Sequence, residues 1–165
     1  MTLSIKKFWT CISSVVCYDF IFNGSLDHHL HVDGLVSLSW DDQVRVALVV
    51  ARSLVYLHLA TIAAIFYRDN KASNIVLDDN LTTKISDFGA SRYIPIDQTG
   101  VTTDVQGTIG YLDPMYYYTG HLTNKSDDFS FGILLIELLT ENSLSIGLIN
   151  VMFLILVLFH ILPSY

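Results

Sequence analysis

The 165-residue sequence holds only two cysteines, Cys11 and Cys17, too few for the disulfide framework of a small secreted domain, so reduced thiols of the cytosolic kind are expected. Basic residues are scarce as well: nine Lys and Arg stand against sixteen Asp and Glu, for a net charge of -7. The one basic pair is Lys6-Lys7. Nucleic-acid binding needs a basic face to neutralise phosphates, and none is encoded here. No continuous apolar core of signal-peptide length follows those lysines, which argues against a cleaved secretory signal. Internal repeats, low-complexity tracts and linkers are absent too, and the length suits about one ordinary domain. With 52% hydrophobic residues, the chain is too apolar to be disordered.

The apolar excess is uneven. Residues 144–162 (LSIGLINVMFLILVLFHIL) carry no charge and are broken only by Ser145, Gly147, Asn150 and His160. As a helix, this stretch would measure roughly 28 Å at a rise of 1.5 Å per residue, close to the ~30 Å hydrocarbon thickness of a bilayer. A membrane-spanning or membrane-dipping tail fits that length. Against it, no Lys or Arg flanks the segment to orient it, the nearest being Lys125, and a tail packed on itself or on the globular part is the alternative.

Ahead of the tail, punctuation marks the elements. Residues 15–21 (VVCYDFI), closed by Asn23-Gly24, read as a strand and a turn. Ser39 followed three residues later by Asp42 is a capping pattern that starts a helix near Trp40. Behind it Val44, Ala47, Leu48, Ala51, Leu54, Val55 and Leu59 recur at helical spacing and predict its buried face. Residues 74–77 and 83–85 are candidate strands about the turn Asp78-Asp79-Asn80. Residues 87–114, rich in Thr and Gly, read as a long irregular segment of the kind that carries function. Residues 126–140 predict a second buried helix.

The chemistry concentrates between residues 67 and 132. Tyr67-Arg68-Asp69-Asn70-Lys71-Ala72-Ser73-Asn74 resembles the catalytic loop of protein kinases, and Asp87-Phe88-Gly89, thirteen residues after Asn74, resembles their magnesium-binding motif. Gly107-Thr108 and Asp113-Pro114 follow in family order. Phosphoryl transfer is mainly positioning and charge neutralisation. It calls for a carboxylate to orient the attacking hydroxyl, a cation near the transferring group and oxygen ligands for magnesium. The segments VVCYDFIFNGSL, SDFGASRYIPIDQTGVTT, GTIGYLDP and KSDDFSFGILLIELL narrow the likeness to the wall-associated receptor-like kinases of plants, over about residues 15 to 142.

That resemblance implies a set of roles. Asp69 is the catalytic base, Lys71 the cation of the Ser/Thr type, and Asn74 and Asp87 the metal ligands. Asp19 to Ile21 form the hinge that holds adenine, with Val76 as the pocket floor. Arg68 implies regulation by phosphorylation of the loop at Thr99, Thr102 or Thr103. Thr108 contacts Asp69 and Lys71, and Asp127 braces the catalytic loop from the helix below. ATP and Mg2+ are the implied cofactors, and a protein substrate or a full-length kinase the implied partners. The implied location is the cytosolic face of the plasma membrane, or the cytoplasm if residues 144–162 make no membrane contact.

Several positions depart from the family pattern. The first glycine is Gly24, so no Gly-rich phosphate loop precedes the hinge, and residues 1–14 leave no room for the ATP-holding lysine and its partner glutamate. Tyr67 replaces a histidine, Asn70 an aliphatic residue and Met115 a glutamate, while Asp128 puts a charge where the helix is normally apolar. His28, His29 and His31 match no common zinc spacing and read as a solvated turn. Tyr116-Tyr117-Tyr118 reads as packing rather than as a phosphorylation site.

The fold expected is therefore mainly α with short β hairpins, a partial protein-kinase-like fold running from the hinge through the central buried helix of the large lobe, with the small lobe largely missing. Residues 1–14 would be a small-lobe remnant, 15–142 the partial large lobe and 143–165 the apolar tail. The function expected is that of a partial serine/threonine protein kinase domain, inactive as this chain alone. A catalytically silent interaction module and a non-functional truncated product are the alternatives.

Overall fold

The computed structural model describes residues 24–31, 38–59, 63–95 and 97–140. Four helices and three two-stranded antiparallel sheets make up the described part, in keeping with a mainly α fold with short strand pairs. The expected strand at 15–21, the hinge residues Asp19 and Ile21, and the apolar tail lie outside the described residues. Among the described residues, no helix is long and apolar enough to cross a membrane.

A short helix α1 (Leu26–His31) precedes the long helix α2 (Trp40–His58). The start of α2 follows the sequence: the Ser39 hydroxyl accepts the Asp42 N–H at 3.2 Å, and Asp41 and Asp42 sit at the positive end of the helix dipole. Its buried face coincides with the predicted one at Ala47 and Leu54 and departs from it elsewhere. Gln43, Val46, Ala47, Val50, Leu54 and Leu57 point inward, whereas Leu48, Val55 and Leu59 are exposed. The stripe is helical in period but rotated, because a buried glutamine stands in it and three leucine or valine side chains stand off it.

Strand β1 (Ala63–Phe66), which the sequence did not suggest, pairs with β4 (Arg92–Pro95). The expected hairpin is present as β2 (Ile75–Leu77) and β3 (Thr83–Ile85). Strand β5 (Gly100–Thr102) pairs with β6 (His121–Thr123), just after helix α3 (Pro114–Thr119). The segment 87–114 is thus less irregular than its polarity implies. It supplies two strands, and Ile94 on β4 is fully buried. Helix α4 (Asn124–Thr140) closes the described part and packs against α2.

The main core joins α2, β1, β2 and α4 through Val50, Leu54, Ile65, Ile75, Leu134 and Leu138, all buried. A smaller cluster of Phe66, Ile94, Tyr116 and Leu122 fills the space beneath the β1–β4 and β5–β6 pairs. Residues 67–74 join the main core directly, through buried Tyr67 and Ala72. α3 is tied to α4 by Asp113, which caps α3 through the Met115 N–H at 3.0 Å and accepts the Ser126 hydroxyl at 3.1 Å. Pro114 at the first helical position suits a start where its missing N–H costs nothing. Of the tyrosine run, Tyr116 is buried while Tyr117 and Tyr118 are exposed, as is Met115.

Candidate functional site

The loop 67–74 is held from below by one carboxylate. Asp127, fully buried near the start of α4, accepts the backbone N–H of Tyr67 at Oδ2 and that of Arg68 at Oδ1, both at 2.7 Å. Its third partner is His58 Nε2, 2.8 Å from Oδ2. Sequence reasoning missed His58. It is a lone histidine in the last turn of α2, 69 residues from Asp127, and its ring is steadied edge-on by Phe66 at 5.4 Å. A buried carboxylate needs such donors, since an uncompensated charge in the interior is costly.

The anchor tolerates a strained backbone. Arg68 has φ 74°, a left-handed conformation that a bulky residue keeps only when its surroundings enforce it. Besides its N–H on Asp127, its guanidinium donates to the carbonyls of Ala90, at 3.1 Å, and of Asp104, and to the Tyr116 hydroxyl. Of the threonines expected as phosphate acceptors, Thr99 and Thr102 are exposed and Thr103 is half-buried. The Thr103 N–H is bonded to the Gly120 carbonyl at 2.9 Å.

Above the loop, Asp69 collects three side-chain donors. The Thr108 hydroxyl donates to Oδ1 at 2.6 Å. Asn74 Nδ2 donates to Oδ2 at 3.0 Å and to the Asp69 carbonyl at 2.9 Å. Lys71 Nζ lies 3.0 Å from Oδ2 and donates to Thr108 Oγ1 at 2.8 Å. Partial burial pushes the Asp69 carboxyl up, but the hydrogen bonds from Thr108, Lys71 and Asn74 and the charge of Lys71 outweigh it and hold the carboxyl below its ordinary range. Asp69 is therefore a carboxylate at neutral pH.

Donor arithmetic shows what is left for a ligand. Lys71 has three N–H donors and spends two, on Thr108 and Asp69. Asn74 turns both amide hydrogens on Asp69, so its carbonyl oxygen is the atom with ligand chemistry. Asp87 is exposed and, among the described residues, takes only the Gly89 N–H, at 3.3 Å. Its φ of 53° is again left-handed. Ser86, the residue before it, ties the two segments together: its N–H and its hydroxyl both donate to the Asn74 carbonyl, at 2.9 Å each. Asn74 and Asp87 thus lie on adjoining segments, and each offers a side-chain oxygen of the hard kind that magnesium prefers.

Tyr67 occupies the place expected of a histidine and repacks it. Its ring meets Phe88 edge-on at 5.2 Å, and its hydroxyl donates to the Ser86 carbonyl. Burial, with the charges of Asp69, Asp87 and Asp127 nearby, raises its pKa far above the ordinary phenol value, so it remains a donor. Val76 is half-buried on β2, opposite Lys84 on β3 and bridged to Ser25. Gly107 passes so close that a Cβ there would stand 2.8 Å from the Arg68 carbonyl.

Not every member of the loop is satisfied. Asn70 is fully buried, and neither atom of its amide has a hydrogen-bond partner among the described residues. Asp128, beside the anchor Asp127, is half-buried, and burial raises its pKa despite the lowering influence of His58 and Lys125.

The model of the protein kinase domain family matches residues 5–149. Wall-associated receptor kinase 5 of Arabidopsis thaliana is 50% identical over 140 residues, an alignment covering 82% of this chain and 19% of that protein. Wall-associated receptor kinase 3 of the same plant is 49% identical over 142 residues, with the same coverage of each. A putative wall-associated receptor kinase-like 16 is 46% identical over 140 residues, which make up 32% of its length. The chain thus spans between a fifth and a third of the length of these relatives.

Proposed function

The chain belongs to the protein kinase family, in its wall-associated receptor kinase branch, and from that premise we propose that residues 67–113 form the phosphotransfer half of a serine/threonine kinase site. Asp69 orients and accepts the proton of an attacking Ser or Thr hydroxyl of a protein substrate. Lys71 directs its remaining N–H toward the transferring phosphoryl group of ATP. Thr108 locks the pair in register. The observation that supports this reading is the Asp69–Thr108–Lys71 triangle, which leaves one lysine donor unspent beside an ionised carboxylate.

Asn74 and Asp87 are the residues that would hold Mg2+, whose chemistry when bound is to neutralise charge on the phosphates. Asp127 and His58 act beneath them as positioning residues. Val76 forms the floor of the adenine site, with Asp19 and Ile21 as its hinge. Arg68 links loop phosphorylation at Thr99, Thr102 or Thr103 to the catalytic loop. The relatives are named receptor kinases, which supports a role at the cytosolic face of the plasma membrane, with residues 15–142 as the kinase part and 143–165 as an apolar segment able to meet the bilayer.

Within residues 1–165 no Gly-x-Gly-x-x-Gly occurs, and each lost electrostatic contact to a transferring group costs about 10²- to 10³-fold in rate. The isolated 165-residue polypeptide is therefore expected to bind Mg-ATP weakly and not to turn it over. Calorimetric titration with Mg-ATP tests the site: millimolar or tighter binding that Asp87→Ala abolishes supports it, and no binding overturns it. Phosphorylation of a generic protein substrate by this polypeptide alone would defeat the expectation of inactivity.

A further inference from the structure

Helix α4 is apolar on both sides. Phe131, Leu134, Leu135 and Leu138 fill the main core, while Phe129, Ile133, Ile136 and Thr140 recur on the opposite side at the four- and three-residue intervals of one helical stripe. Phe129 is 36% and Ile136 40% exposed, with Ile133 and Thr140 half-buried between and beyond them. The Thr140 hydroxyl donates back to the Ile136 carbonyl at 2.8 Å, so its donor is spent within the helix. The one charged side chain after Asp128 is Glu137, which is bonded to Tyr111 and His31 and stands beside the stripe, not on it. At the edge of the stripe, a Cβ on Gly132 would meet nothing within 4 Å among the described residues, so a neighbour can come close to the backbone there. A helix with no polar face belongs between two apolar layers, and the described residues supply one of them.

The sequence that follows fits the other layer. Glu141, Asn142 and Ser143 separate α4 from the uncharged run 144–162. Such a short link suffices to join two antiparallel helices, and Ser143 is of the type that caps a helix start. Reflected about Asn142, the stripe Thr140, Ile136, Ile133 and Phe129 falls on Leu144, Leu148, Val151 and Ile155. These four would share one face of a helix, and none of the interruptions Ser145, Gly147, Asn150 and His160 is among them. The stripe measures about 17 Å at 1.5 Å per residue, which the run is long enough to cover from end to end. Bilayer insertion suits the run by length alone, because no Lys or Arg flanks it to orient a spanning helix.

We propose that residues 144–162 turn back on α4 as an antiparallel helix and cover the stripe of Phe129, Ile133, Ile136 and Thr140 with Leu144, Leu148, Val151 and Ile155. A run able to meet a bilayer is then spent on the lobe itself. The proposal goes beyond the phosphotransfer reading and does not depend on it.

The test uses the full 165-residue chain with Cys11 and Cys17 changed to Ser. Two facing pairs, Ile136→Cys with Leu148→Cys and Phe129→Cys with Ile155→Cys, should each close a disulfide within one chain. Phe129→Cys with Leu144→Cys should not, since those positions would lie most of the stripe's length apart, far beyond disulfide reach. A single thiol at Ile136→Cys should be alkylated at least about tenfold more slowly than one at Tyr118→Cys, the latter position being 82% exposed. Val151→Lys should abolish that protection and lower the melting temperature. Phe153→Lys, on the outward side of the same helix, should do neither. Equal effects of the two lysines, disulfides that form only between chains, failure of both facing pairs to close, or flotation of the chain with phosphatidylcholine vesicles would overturn the proposal.

Discussion

The two sides of the loop 67–74 are built on opposite terms. Beneath it, Asp127 is dry and fully committed, with two backbone N–H groups and His58 around one carboxylate. Above it, Asp69 shares its oxygens with three polar side chains and keeps about 13% of its own side chain exposed. The lower carboxylate fixes where the backbone runs; the upper one stays ionised and reachable. A site for reversible chemistry needs both, since a rigid support costs nothing in reactivity only when the reactive group is kept off it. Two neighbours mark the limits of the scheme: Asn70 is buried without partners on the loop itself, and Asp128 carries a charge into half-buried surroundings next to Asp127.

The lower side should be the more fragile. Asp127→Ala would strand two buried N–H groups and remove the partner of His58, and a loss of about 3 to 5 kcal/mol in urea-unfolding stability is expected. A loss below about 1 kcal/mol would erase the contrast between the two carboxylates. Gly107→Ala comes next, at about 1 to 3 kcal/mol, because φ is 136° there and the new methyl meets the Arg68 carbonyl. If the contrast is right, this variant should also disturb the Asp69 resonances in a carbon-detected NMR titration.

Asn70→Leu should move stability the other way, by about 1 to 3 kcal/mol, since it replaces an unpartnered buried amide with an apolar side chain of similar size. An unchanged unfolding midpoint would mean that the amide finds partners in solution. The smallest effect belongs to Asp128→Asn and depends on pH. The folded-state pKa of Asp128 is raised, so its charge destabilises the fold at neutral pH, and that cost disappears as pH falls below the ordinary carboxylate value of about 4. The variant should be more stable than the parent at pH 7 and equal to it near pH 3.5. Asp69 has the opposite sign: its lowered pKa contributes stability above that ordinary value, lost as pH falls through the folded-state pKa.

Much of this could be seen in the residues before any coordinates. The cap at Ser39, the β2–β3 hairpin about Asp78 and the span of α4 each follow from local chemistry, which short stretches of sequence encode completely. The Asp-Lys-Asn spacing singled out side chains that the fold does bring together around Asp69 for a similar reason. What escaped notice is long-range or ambiguous in period. β1 lies in an apolar stretch whose alternation is masked by alanines, and it becomes a strand only because β4 arrives to pair with it. His58 gains its role from a carboxylate 69 residues away, a relation that no local pattern carries. The face of α2 was in part misjudged because leucine and valine also occur on surfaces, as Leu48 and Val55 do here, while the polar Gln43 is buried.

The Asp127 anchor also imposes a schedule on the nascent chain. Tyr67 leaves the ribosome 60 residues ahead of the carboxylate that will hold its N–H, a lag of roughly 3 to 12 s at about 5–20 residues per second. For that interval the loop 67–74 lacks the carboxylate that will hold its backbone N–H groups, and the surface of α2 that α4 will cover is open to chaperones and proteases. Translation speed across codons 67–127 is thus a variable in how much of this protein is made in usable form.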